Sequence, residues 1–195
     1  MLERLMIAYK KQHLLEPLTL GEVPEESKDL FEHVINIRNL GFLPNMFGVM
    51  GHSSGSLKAV ASVGEHVRFN SSLDKHLIEI IICEVSIFTG NEYEWCHHIN
   101  KVPERFHSKV GTENIETEPS PVGPALRFVR LILVGKPVPD NLIADLKKLF
   151  NENGLVELTV MVGYYQLLGT FCVTMGIQVE DCVEKVPMPK SALNK

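Results

Sequence analysis

No two of the four cysteines, Cys83, Cys96, Cys172 and Cys182, are spaced as a C-x-x-C pair. That removes the sequence basis for a structural zinc site or a dithiol relay. A basic cluster is also missing: 19 Lys and Arg stand against 24 Asp and Glu, for a net charge of -5, so there is no electrostatic footprint for nucleic acid. Long uncharged apolar runs are scarce. Leu77 to Cys83 is interrupted by Glu79, and Leu155 to Ile177 carries Glu157, Gln166 and several glycines, so neither reads as a membrane span. Met1 to Lys11 holds Glu3, Arg4, Lys10 and Lys11 around a short apolar stretch and lacks the apolar core and cleavage site of a secretory signal. The expected compartment is the cytoplasm, which unpaired thiols fit.

Alternating strand patterns are equally scarce, and helical periodicity dominates, which predicts an all-α fold. A length of 195 residues suits one domain, or two small helical units sharing a core, and 45% hydrophobic against 22% charged residues describes a packed globule. Helices are expected over Glu26 to Leu40 with Gly41 as C-terminal cap, Asn45 to Met50, Ser56 to Phe69, and Leu73 to Thr89 between an N-cap at Ser72 and a stop at Gly90. Further helices are expected over Asn91 to Val102, Pro124 to Val134, Asn141 to Asn151 and Leu155 to Gly176. The polar stretch Gly111 to Gly123 is the expected boundary between a first unit, 43–110, and a second, 124–183, with 184–195 as a tail that frays from Pro187. Leu77-Ile78-Glu79-Ile80 and Leu155-Val156-Glu157-Leu158 each place a carboxylate early in a buried helix, as in a degenerate duplication.

The informative segment runs from Glu79 to His98, EIIICEVSIFTGNEYEWCHH. Leu73 to Thr89 is apolar almost all round, so Glu79 must lie in or beside the core, where a carboxylate is costly unless paired or protonated. Asn91, Glu94 and His98 fall at i, i+3 and i+7 and share one helical face, with Cys96 opposite. A tight turn at Gly90 makes the two helices antiparallel, bringing Glu79 toward the later turns of the second. Glu79, Glu94 and His98 are therefore the candidate catalytic cluster. A neighbouring carboxylate favours imidazolium while burial disfavours it, which would leave His98 titrating near neutral pH. His97 should face elsewhere and matter less. The plainer readings are a solvated Glu94–His98 pair, a Glu79 that merely ties helices together, and Tyr93 and Trp95 as core aromatics; tying is the expectation for Glu157.

The run Leu73 to His98 resembles the core motif of the carboxymuconolactone decarboxylase and alkylhydroperoxidase D-type superfamily: a glutamate, a glycine-closed turn, then C-x-x-C-x-x-x-H. Aligned without gaps on Glu79 and His98, the two cysteine positions hold Asn91 and Glu94. The form Tyr93-Glu94-Trp95-Cys96-His97-His98 looks like the non-redox, decarboxylase-like branch. LPNMFGVM at Leu43 to Met50 and LVELTVMVGYYQ at Leu155 to Gln166 also look like flanking segments of that family, so the likeness covers roughly 40 to 180. It implies an orthogonal helical bundle, self-association as a trimer, hexamer or dimer, and His98, Glu94 and Glu79 as site residues, with no cofactor. One departure stands out: the family often carries arginine just before its glutamate, and here that position is Ile78.

The resemblance implies a lyase acting on a small carboxylated or lactone-like molecule, with His98 moving protons, Glu94 orienting it and Glu79 tuning its basicity. A carboxylate would then need Arg68, Arg38 or Arg105, which spacing alone does not place. Alternatives are a thiol peroxidase resting on Cys96, which lacks a resolving partner; a metal site from Glu94-x-x-His97 and Glu104-x-x-His107, which the linear arrangement disfavours; and a non-catalytic helical oligomer or binding protein. No metal, nucleic acid or membrane partner is expected.

Overall fold

The N-cap of the central helix is Asp74, two residues beyond the expected Ser72. In the computed structural model, which describes residues 13–39, 41–191 and 193, the Asp74 carboxylate accepts from the backbone N–H groups of His76 and Leu77 at 3.0 Å each, satisfying donors that have no partner inside the helix. Ser72 instead turns its hydroxyl to Glu157. Met1 to Lys11, expected to lack a secretory signal, and Leu40, the expected last residue of the first helix, lie outside the described residues.

Among the described residues eight α-helices follow in order: α1 (Lys28–Arg38), α2 (Asn45–Met50), α3 (Ser54–Glu65), α4 (Lys75–Thr89), α5 (Glu92–His98), α6 (Glu104–His107), α7 (Val122–Leu133) and α8 (Asp140–Met175). Among the described residues there is no strand. α1 ends one turn before Gly41, because Asn39 already takes the left-handed conformation at φ 49°, which asparagine tolerates better than most side chains.

Every residue from Leu77 to Ile87 is buried, and α4 packs on α8, α5 and α7, as its all-round apolarity requires. Gly90, at φ 72°, reverses the chain so that α5 returns along α4. The two last expected helices are the two arms of α8, which break at Asn151 (φ 55°, ψ -171°). The Asn151 side chain accepts from the Gly154 N–H at 3.1 Å, capping the second arm. By length and composition alone α8 would suffice to cross a membrane. Its second arm, beyond the break at Asn151, buries one face from Leu158 to Cys172 against the rest of the chain.

The stretch expected to separate two units is tied down at Gly111, Thr112 and Glu116. Arg130 of α7 donates to Glu84 at 2.8 Å, to Glu116 at 3.1 Å and to the Thr112 carbonyl at 2.6 Å, while the Gly111 N–H donates to Glu84 at 2.8 Å. A buried guanidinium needs such partners, and they fasten the loop to α4. The expected tail is likewise docked at its start. The Val186 carbonyl accepts from the Trp95 indole at 3.0 Å, and Glu184 accepts from Asn100 at 2.9 Å. A buried indole N–H requires an acceptor, and residue 186 supplies it.

Candidate functional site

Asn91 caps α5 by accepting from the Glu94 N–H at 3.3 Å, which fixes the helical phase of the residues that follow. Glu94 and His98 then fall one turn apart, with carboxylate and Nε2 at 3.1 Å. The turn at Gly90 brings Glu79 against the other ring nitrogen, His98 Nδ1 to Glu79 Oε2 at 2.5 Å. The expected trio therefore meets as a row, Glu79, His98, Glu94, with all three buried.

That row dictates its own proton count. Each of its two hydrogen bonds needs one proton, so two protons and three groups leave a net charge of -1. Burial, and then the Arg68 charge, push His98 well below the ordinary histidine range, and the pull of Glu94 does not offset them. Burial also raises Glu79 despite Arg68 and Lys101. Glu94 is raised by burial but more strongly lowered by its hydrogen bond from His98 and by the surrounding positive charge. These directions disfavour an imidazolium at His98 and favour an ionised Glu94. The expected balance that would leave His98 titrating near neutral pH fails, because Arg68 adds to the burial penalty.

Arg68 is the residue that sequence spacing left unplaced. It lies on a single π-helical turn, His66–Asn70, that extends α3. Such an inserted turn rotates the helix face and recurs at functional sites. Its Nη2 donates to Glu79 Oε1 at 3.1 Å, and its Nη1 lies 3.1 Å from Nδ1 and 3.0 Å from Nε2 of His98. An atom equidistant from both ring nitrogens at that range would strike Cε1 if it lay in the ring plane, so the guanidinium rests on the imidazole face. From α8, Tyr165 meets the His98 ring edge-on with centroids 6.1 Å apart, and its hydroxyl also engages Arg68.

Glu94 and His98 form one wall of a cavity of about 200 Å³ whose other walls carry Arg38, Arg68 and Lys101, together with Phe47, Phe69 and Tyr93. Arg38 lies over the Phe47 ring at 4.6 Å and pairs with Tyr164. Tyr164 leans on Gly64, where any Cβ would fall 2.2 Å from its hydroxyl. The Nε groups of Arg38 and Arg68 are buried without hydrogen-bond partners among the described residues. Arg105, the third candidate, stacks on Phe106 instead.

His97 was expected to face elsewhere, yet it lines the same cavity. Its Nε2 lies 2.8 Å from Oε2 of Glu180, whose Oε1 accepts from the Tyr93 hydroxyl at 2.8 Å and from the Asn45 N–H at 2.6 Å. Glu180 stands beyond the end of α8, and no local pattern could have paired it with α5. Cys96 faces the Val186 carbonyl at 3.7 Å, away from the cavity as expected, and burial raises its thiol. The two E-x-x-H pairs do not converge: Glu94 holds His98, whereas His107 turns to the Val102 carbonyl at 2.8 Å. Glu157 ties α8 to Ser71 and Ser72.

No family profile and no curated protein matches the chain. Solved structures do. A peroxidase-related protein from Silicibacter sp. TM1040 is 16% identical, over 90% of this chain and 96% of that one, with a TM-score of 0.72. The alkylhydroperoxidase AhpD core of a peroxidase-related protein from Ralstonia eutropha JMP134 is 15% identical over 87% and 95%, with a TM-score of 0.67. A variant of the debrominase Bmp8 in complex with 2,3,4-tribromopyrrole is 18% identical over 87% and 93%, with a TM-score of 0.64. At such identities the likeness speaks for architecture, and the chain has the all-helical fold of the carboxymuconolactone decarboxylase and alkylhydroperoxidase D-like proteins.

Proposed function

We propose that this chain is a proton-transfer enzyme of the non-redox, decarboxylase-like kind, acting on a small carboxylated or lactone-like molecule. The observation that carries the reading is the juxtaposition of the Glu79–His98–Glu94 row with three cations around one small cavity. Arg38, Arg68 and Lys101 would receive a carboxylate, and the unpartnered Nε groups of the two arginines supply donors that a bound anion could satisfy. Phe47, Phe69 and Tyr93 would flank a flat or unsaturated body. A debrominase of the same fold binds a small planar pyrrole, which is in keeping with a cavity of this size.

In the resting row Glu94 is an ionised carboxylate at the cavity wall and can take a proton from carbon or oxygen. If both protons of the row move one place, from Glu79 to His98 and from His98 to Glu94, Glu94 becomes a carboxylic acid and Glu79 an anion facing Arg68. The row thus lets one cavity-facing group serve as base or acid without changing the charge of the buried cluster. Loss of carbon dioxide from a bound carboxylate would leave the bonding pair on the molecule as an enolate. The cations would stabilise that charge, and one proton would complete the product.

The test is incubation of the full chain in D2O with a panel of small β-keto and β,γ-unsaturated carboxylates and their lactones, read by NMR. Deuterium incorporation or carbon dioxide loss that His98→Gln lowers roughly 10²-fold, the usual scale of general acid–base catalysis, supports the reading. Binding of panel members with no exchange or turnover in the native chain would replace it with a binding protein.

A further inference from the structure

We propose that His97, held by Glu180, is a second proton-transfer residue of this cavity and the one histidine there that can meet the bound molecule directly. This rests on the reading that the cavity takes a small anion. Both ring nitrogens of His98 are occupied, Nδ1 by Glu79 and Nε2 by Glu94, so His98 can act only through its neighbours. His97 differs. Its Nε2 is held by Glu180 at 2.8 Å, and among the described residues Nδ1 has no hydrogen-bond partner. Its ring lines the cavity beside Glu94.

Glu180 is built to hold that ring and to remain ionised. Burial alone would raise its carboxyl, but hydrogen bonds from His97, from the Asn45 backbone and from Tyr93 bring it below the usual range. The Tyr93 ring lies 4.5 Å from the His97 ring, tilted by 39°, and limits its rotation. A buried carboxylate that fixes the tautomer and orientation of an imidazole, and carries the counter-charge when that imidazole takes a second proton, is the arrangement general acid–base catalysis requires. The cavity then has two proton-exchanging groups, Glu94 and His97, which is what removal at one atom and delivery at another demands. In the delivery step the Nδ1–H bond of the imidazolium breaks and a C–H bond forms with the electron pair left on the molecule. Neutral His97, protonated at Nε2 alone, is the resting form, and it takes the Nδ1 proton from water at the start of each cycle.

Long-range 1H–15N NMR of the labelled full chain tests this, with acetate as the probe anion. His97 should appear as a single tautomer protonated at Nε2. Acetate should shift its Nδ1 signal together with the guanidinium signals of Arg38 and Arg68, while the His98 nitrogens stay in place. Glu180→Gln should release the ring into a mixture of tautomers, which the native chain does not show. Arginine shifts with a silent His97, or a His97 whose Nδ1 is held by another group of the protein, would overturn the inference and leave the anion site standing. If no cavity signal moves at any acetate concentration, the anion reading falls and this inference with it.

Discussion

Arg68 Nη2 lies 3.1 Å from Glu79 Oε1, so the guanidinium that borders the cavity also neutralises the buried row behind it. An anion bound at Arg68 and the charge state of Glu79 are thereby coupled. When the row shifts its protons toward Glu94, Glu79 becomes the anion and draws on the same cation that holds the bound molecule.

Removing that cation should have two effects. Arg68→Met is expected to weaken acetate binding at least tenfold and to cost about 3 kcal/mol of stability, the scale for deleting one partner of a buried pair. Arg68→Lys should restore part of the stability, but less of the binding, because a guanidinium's forked donors are lost. Calorimetric unfolding with and without acetate separates the two. Unchanged binding in Arg68→Met would remove Arg68 from the site.

His98 and Glu79 should leave opposite marks on the pH dependence of stability. His98 is held below its unfolded value, so below about pH 6.5 the unfolded chain binds a proton that the folded chain refuses, and stability falls as the pH drops. Glu79 is held above its unfolded value. Its contribution is present below about pH 4.3 and is lost as the pH rises through the folded value. His98→Gln should flatten the decline between about pH 6.5 and 5, whereas Glu79→Gln should keep it. Denaturant midpoints at pH 7.5, 6.5 and 5.5 read the difference. Identical pH slopes in the native chain and His98→Gln would show that His98 does not carry this linkage.

Cys96→Ser should be close to neutral for stability and for any activity, since the thiol faces the Val186 carbonyl and not the cavity. Robust hydroperoxide reduction with a dithiol donor, abolished by this substitution, would restore the thiol reading.

Self-association, which the family resemblance implies, has one surface to rest on. The apolar helix α4 is fully satisfied within one chain, but on the second arm of α8 Val156, Val160 and Leu167 are 62%, 44% and 48% exposed, and their spacing puts them on one stripe. We propose that a second copy covers this stripe. Light scattering at micromolar concentration should return a multiple of the 21.9 kDa chain mass, and Val160→Glu should shift it toward one chain. A mass of one chain for the native protein would contradict the proposal.

Local pattern determined much of this molecule. The helical period of Leu73 to Thr89, the turn at Gly90 and the i, i+4 relation of Glu94 and His98 are properties of neighbours along the chain, and short-range geometry places them without knowledge of the rest. From these the convergence of Glu79 on His98 follows, because two helices joined by a tight turn can only return alongside each other. What only the tertiary structure decided are the groups supplied from a distance. Arg68 enters through an inserted π-helical turn that amphipathic periodicity does not signal. Tyr165 arrives from α8, and Glu180 reaches His97 across 83 residues of sequence. These contributors set the protonation of His98, place the cations, and make His97 a member of the cavity. A pKa and a binding site depend on every charge within a few ångströms, whichever part of the chain delivers it.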